Sequence, residues 1–524
     1  MMSIVNHLKN TRQSLLTEIQ KRFSIYSVAV LLMFSILSCS KDADPTTTSS
    51  GGTVTTITDT TTSTATPEGN TDTAANEDDL IANSTFSSVV TISFGTTVEI
   101  TNPLSGSGVE VSVSNGDVVV NSTAEEVEYV LTGTTTNGSV KFYSEAKFKL
   151  TLNSVSITNS DGPAINIQST KRVFVVLPDN SANTLTDGTT YTAYLEEDMK
   201  GTFFSEGQLI VSGGGSLSVK SKFKHGICSD EYFRMISGTI TVTGAASDGI
   251  HTNEAFIADG GTINITASGD GIQCEQGYIV INDGAFTINS VDKGISAAYD
   301  LDNTIDPYLT INGGTINVTS TAGEGIESKS TLTINNGTIT TKTSDDGINA
   351  SDAMYINGGV IYAYSSSNDA IDSNGTLTVT GGTVVAAGTS APEEGFDCDH
   401  NTFKITGGTL IGIAGASSAP TASVCKQPSV LLGSGSANKL INIQSSDGVE
   451  ALTFLIPRSY STMLFSSSKL KSGTTYTVYT GGSVTGGTVV NGLYTAGEYT
   501  PGTKSTSFTV SSMFTKVGGS IGPG

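Results

Sequence analysis

Tryptophan is absent from the 524 residues, and proline (12), cysteine (5) and histidine (4) are scarce. Without Trp there is no indole platform of the kind that lies flat on crystalline cellulose. Charged residues make up only 14%, and bases are the rarer kind, with 26 Lys+Arg against 49 Asp+Glu and a net charge of −23. Such a chain has little with which to neutralise a phosphate backbone, which argues against a nucleic-acid partner. Long amphipathic helical patterns are missing beyond the first forty residues, so an α/β enzyme is not expected. What is present is glycine (59 residues) with abundant Ser and Thr, over a hydrophobic content of 37%. That mixture suits thin β layers better than a thick core.

The N-terminus carries an address. Lys9, Arg12, Lys21 and Arg22 precede an apolar run from Ile25 to Leu37. A basic segment followed by an apolar stretch too short to span a bilayer is a secretory signal. The run ends Ile36-Leu37-Ser38-Cys39, which resembles the lipobox of bacterial lipoproteins, so residues 1–38 are expected to be removed and Cys39 acylated. The expected location is therefore the outer membrane or cell surface, anchored by lipid and facing outward. Removal takes away four bases and one acid and leaves the mature chain at −26. Residues 39–82 hold almost no large apolar groups and read as a disordered Ser/Thr-rich tether.

Self-similarity organises the remainder. An acid-Gly-Ile landmark recurs at Gly226, Gly249, Gly271, Gly294, Gly325, Gly347, Ala370 and Gly395, in steps of 23, 22, 23, 31, 22, 23 and 25. A glycine pair or its remnant keeps phase with it, ending at Gly261, Gly284, Gly314, Gly337, Gly359 and Gly382 among others. Both series lengthen together, which places a protruding loop around Tyr299 to Tyr308. Within each unit apolar residues alternate in three short runs, as in Ile326/Ser328, Leu332/Ile334 and Ile361/Ala363. Period-two alternation means half-buried strands. Three strands per unit of 22–23 residues make an all-β, right-handed parallel β-helix. About nine such coils at about 4.8 Å each would form a rod about 40 Å long. The β-helix with its N-terminal cap is expected over 83–424, and a C-terminal β cap over 425–524.

The run Lys200-Gly201-Thr202-Phe203-Phe204-Ser205-Glu206-Gly207-Gln208-Leu209, the recurring Asp-Gly-Ile and Asn-Gly-Gly-Thr motifs, and Gly-Thr-Thr-Tyr-Thr-Val-Tyr-Thr-Gly-Gly at 473–482 carry a family likeness. Together they resemble the bacterial carbohydrate-binding domain family of secreted parallel β-helices, of the clostridial cellulose- and polygalacturonate-binding type. That family is similar in fold to pectate lyases. The resemblance implies bound calcium and an acidic polysaccharide ligand; it does not imply catalysis.

Stacking the coils on the repeat aligns Asp248, Asp270, Glu324, Asp346, Asp369 and Glu394 in one column, and Glu327, Asn349, Asp372 and Asp397 in a second. Carboxylates one coil apart repel, and hard oxygen ligands at this density suit Ca²⁺. The densest group is Asp345, Asp346, Asp369 and Asp372, continued by Glu393, Glu394 and Asp397. For any single Asp-Gly the alternative is a turn whose carboxylate caps local N–H groups. A lyase would need a base beside the calcium. Lys404, outward in line with Thr378 and Tyr355, and Lys293, which interrupts the first column, are the candidates, though neither sits where the lyase pattern would put it. Tyr355, Tyr362, Tyr364, Tyr299 and Tyr308 are the candidate sugar-stacking rings. Cys274 and Cys398 fall on one inward column, too far apart to bridge. His225, His251 and His400 are too scattered along the chain to suggest a zinc set.

The function expected is a surface-anchored lipoprotein that binds a uronic-acid-rich polysaccharide with calcium and does not cleave it. A calcium-dependent polysaccharide lyase and a structural adhesin are the alternatives.

Overall fold

The structure, a computed structural model, describes residues 54–59, 65–194, 196–299 and 304–523. The signal segment, Cys39 and the first part of the expected tether lie outside the described residues.

Three strands make a coil, as in Ile326–Ser328, Thr331–Ile334 and Thr338–Thr343. Each pairs in parallel with its counterpart one repeat later: Ile326 opposite Ile348, Leu332 opposite Met354, Ile339 opposite Ile361. The side chains that alternate inward therefore form ladders, and Ile326, Ile348 and Ile371 are all fully buried. At the corner before the third strand, Gly314, Gly337, Gly359 and Gly382 take φ between 84° and 116°. A Cβ there would also approach the carbonyl oxygen of a glycine one coil earlier to 2.7–3.1 Å, so the corner needs glycine twice over.

The sheet built from the short strands is longer than the repeat count implies. It holds thirteen strands, from Phe396–Asp397 back to Val109–Ser114. Val140–Ser144 and Ile165–Ile167 join it in parallel, so residues 117–200 are coils rather than a cap. Their landmarks are missing because strands such as Val127–Thr135 and Phe148–Thr158 are long, and the connection after Thr186 is extended. Only the outermost pair, Val109–Ser114 with Asp117–Ser122, is antiparallel.

At the other end, Thr462–Ser466 pairs antiparallel with Thr409–Ala414 and closes the last coil. Behind it lies a six-stranded sheet that includes Leu440–Ser445, Glu450–Leu455 and Thr475–Thr480. It packs a second core of Val385, Ile411, Ile413, Phe454 and Phe465.

The expected tether departs from expectation over its described part. Thr55–Ile57 pairs with Gly497–Thr500 of the cap. Residues 68–79 run as a strap along the solenoid, across an asparagine ladder. Asn312, Asn335 and Asn357 each donate at 2.8 Å to the side-chain oxygen of the asparagine one coil before. Their second N–H groups donate to strap carbonyls of Asp72, Asn70 and Glu68. Asp79, wholly buried, accepts from Arg172 Nε at 2.9 Å and Arg234 Nη1 at 3.3 Å and pins the strap's end. Low hydrophobicity is thus compensated by backbone hydrogen bonds to a preformed polar ladder.

Candidate functional site

One row of side chains, read by register, runs along the outer face of the thirteen-stranded sheet. It passes through Lys141, Asn166, Phe204, Cys228, His251, Gln273, Ser296, Glu327, Asn349, Asp372 and Asp397. The second acidic column of the sequence is its far end. Three chemically different stretches follow one another along it.

At the far end Asp369, Asp372 and Asp397 each bring a carboxylate oxygen within 4.8 Å of the others. Asp346 joins them through Asn349, whose Nδ2 donates to Asp346 Oδ2 at 3.1 Å and Asp372 Oδ2 at 2.7 Å. Asp372 Oδ1 is buried and has no hydrogen-bond partner among the described residues. Burial, aided by the neighbouring carboxylates, pushes the carboxyls of Asp346 and Asp372 up, and Asp369 up to about 7. Glu394 is pushed up to about 8 for the same reasons. Its carboxylate faces the chain's end, where a Cβ on Gly522 would fall 1.1 Å from Oε1. Asp345 is half-buried and accepts from Asn368 at 2.7 Å, and Glu393 is half-buried beside the cluster. An all-oxygen donor set with an unpartnered buried oxygen fits a hard cation such as Ca²⁺.

In the middle, Lys293 Nζ lies 2.6 Å from Glu327 Oε2, with Lys329 on the other oxygen. Burial opposes the charge on Lys293, but Glu327 outweighs it and raises the pKa, so this amine stays protonated. Lys404 is on a different sheet, beside Thr378, and grips Glu68 of the strap at 2.7 and 2.9 Å. Both expected base candidates are thus engaged in ion pairs.

On the N-terminal side of that stretch, His225 and His251 stack at 4.1 Å around Asp248. Expected to be scattered, they are neighbours, because His225 occupies the position of Asp248 one coil earlier and His251 follows Asp248 by three. Burial lowers the His225 pKa to about 4. Burial also opposes charge on His251, but hydrogen bonds to Asp248 and Glu275 outweigh it and raise it to about 9. The same two histidines overcome the burial of Asp248 and hold its carboxyl well below the usual range.

The tyrosines divide. Tyr355 lies under the strap, where a Cβ on Gly69 would meet its ring at 2.6 Å. Tyr362 and Tyr364 pack against the cap's core, with the Arg458 guanidinium 5.0 Å over the Tyr364 ring. Tyr308 stacks on Tyr278 at 4.9 Å and donates to Asp72. Tyr299 is exposed. The periodicity correctly points Tyr355, Tyr362 and Tyr364 outward, but outward means toward the strap or the cap. Sequence reasoning missed a different pair: Tyr143, on the strand that carries Lys141, and Tyr194, 53% exposed, with Lys141 Nζ 4.3 Å over its ring. Together with Asn121, Asn159 and Asn166 they line an open cleft of about 670 Å³.

Among solved structures the chain is similar to a polysaccharide lyase-like protein from C. thermocellum, studied as a gadolinium derivative. The two are 24% identical with a TM-score of 0.38, over 55% of this chain and 96% of that one. A curated carbohydrate-binding domain-containing protein of Acetivibrio thermocellus is 30% identical over 118 residues, 22% of this chain. The match spans 41% of that relative's length. The family model for carbohydrate-binding domain-containing proteins matches residues 114–368 and 306–492. The chain, a parallel β-helix, belongs to the carbohydrate-binding domain family.

Proposed function

We propose that this protein binds a uronic-acid-rich polysaccharide without cleaving it, while anchored at the cell surface through Cys39. The observation that carries the reading is the composition of one sheet face. A cleft with an exposed tyrosine, a lysine and several amides lies at one end, and the oxygen cluster of Asp346, Asp369, Asp372 and Asp397 at the other. Tyr194 and Tyr143 offer rings to sugars and the asparagine amides offer hydrogen bonds; Lys141, paired with Glu197 at 2.6 Å, would have to be shared with a uronate. At the cluster these four carboxylates would hold calcium, which supplies the positive charge that relieves their repulsion. Non-catalysis is supported by the two lysines: Lys293 is engaged by Glu327 and Lys404 by Glu68, so neither stands as a base beside the oxygen cluster.

Affinity electrophoresis of the mature chain on polygalacturonate, cellulose and xylan gels, with calcium and with EDTA, tests the reading. Retardation on polygalacturonate that weakens in EDTA is expected, with Tyr194→Ala reducing it and no rise in ultraviolet absorbance from unsaturated uronate. Retardation on none of the gels would favour the adhesin; an absorbance rise would make the protein a lyase. The anchor is tested separately, by Cys39→Ala, which should move the protein out of the detergent phase. Unchanged partition would refute acylation.

A further inference from the structure

We propose that His225, His251 and Asp248 form a second metal site, for a divalent transition ion of the Zn²⁺ class, chemically distinct from the oxygen cluster. Asp248 Oδ2 lies 3.0 Å from His225 Nδ1 and 3.1 Å from His251 Nδ1. One ligand atom from each of the three residues falls within 4.8 Å of the other two. With zinc–ligand bonds of about 2.0–2.1 Å, the edge of a tetrahedron is about 3.3 Å, so two edges of the triangle are already nearly the right length.

Three further observations point to a ligand rather than to an ion-paired corner. The His225 side chain is 3% exposed, yet neither ring nitrogen has an aligned hydrogen-bond partner among the described residues. A buried imidazole left in this way costs free energy unless something accepts its lone pair. His251 has the outer support of a metal ligand: with Nδ1 turned to the ion, its Nε2 lies 3.2 Å from Glu275 Oε2, the carboxylate–histidine–metal arrangement that orients a ligating ring. The fourth position has an oxygen at hand, since Gln273 Oε1 is 3.1 Å from His251 Nδ1. Two imidazoles, one carboxylate and one amide oxygen suit a borderline ion and suit calcium poorly.

The full-length protein, stripped with chelator and returned to millimolar calcium, is titrated with Co²⁺ and then Zn²⁺. The site should take up one equivalent of Co²⁺ with the visible ligand-field bands of a four-coordinate ion and imidazole scattering in its X-ray absorption spectrum. Zinc should displace it. Glu275→Gln should weaken uptake about tenfold, and His225→Asn and His251→Asn should abolish it. Asp372→Asn should leave it unchanged. Circular dichroism checks that each variant is folded; if the histidine variants are not, the wild-type spectra decide alone. No stoichiometric uptake, an oxygen-only shell, or uptake that persists without both histidines would each overturn the proposal.

Discussion

At the scale of single residues, the row of outer side chains sets the chemistry through what each coil places beside the next. Asp369, with its carboxyl pushed up to about 7, and Glu394, up to about 8, bind protons more tightly folded than unfolded. Stability from such groups is greatest below pH 4 and is lost as pH rises through 7 to 8. In EDTA the protein should therefore lose several kcal/mol between pH 5 and pH 8, about 1.4 kcal/mol per pH unit for each such group, read from urea midpoints, and calcium should flatten the slope. Asp369→Asn is the clean variant, because its retained oxygen can still accept from Glu394 N–H. It should stabilise the calcium-free protein at pH 8 and reduce the gain from calcium. Asp346→Asn is less clean, since it sets an amide N–H₂ against Asn349 Nδ2. A pH-independent midpoint in EDTA would leave these acids as turn residues.

At the scale of elements, the strap and the ladder explain one another. Asn335 donates to Asn312 and to the Asn70 carbonyl and accepts from Asn357, so Asn335→Ala removes three hydrogen bonds at one rung. The loss should be about 1–3 kcal/mol, felt in the strap more than in the coils. Limited proteolysis should cut within 65–79 several times faster while the main melting transition moves little. Equal protection in variant and wild type would mean that the strap's other anchors, Asp79 with its two arginines among them, hold it without this rung. This element was hidden from sequence reading because its apolar content is low. Its partners are the asparagines of the Asn-Gly corners, 209 to 289 residues away.

For the whole molecule, a solenoid is only as soluble as its ends. The last coil's Thr409–Ala414 edge is closed by Thr462–Ser466, and Val385, Ile411 and Ile413 are covered by the C-terminal sheet. Deleting residues 425–524 should expose that edge and face and give aggregates in size-exclusion chromatography. A monomeric, folded truncation would show that the coils close themselves.

The parallel β-helix was legible because its signal is local and repeated. Period-two alternation, corner glycines and a constant step of 22–23 residues each follow from one coil packing on an identical neighbour. Coil phase likewise brought Asp346, Asp369, Asp372 and Asp397 together on paper, and would have done the same for His225, Asp248 and His251 had the offset of three been carried to the column's start. What alternation cannot say is what covers an outward face. That Tyr355 lies under Gly69, that Lys404 pairs with Glu68, and that Tyr194 is exposed with Lys141 over its ring depend on segments far away in the chain. Those contacts are single events without a period, and only the folded chain decides them.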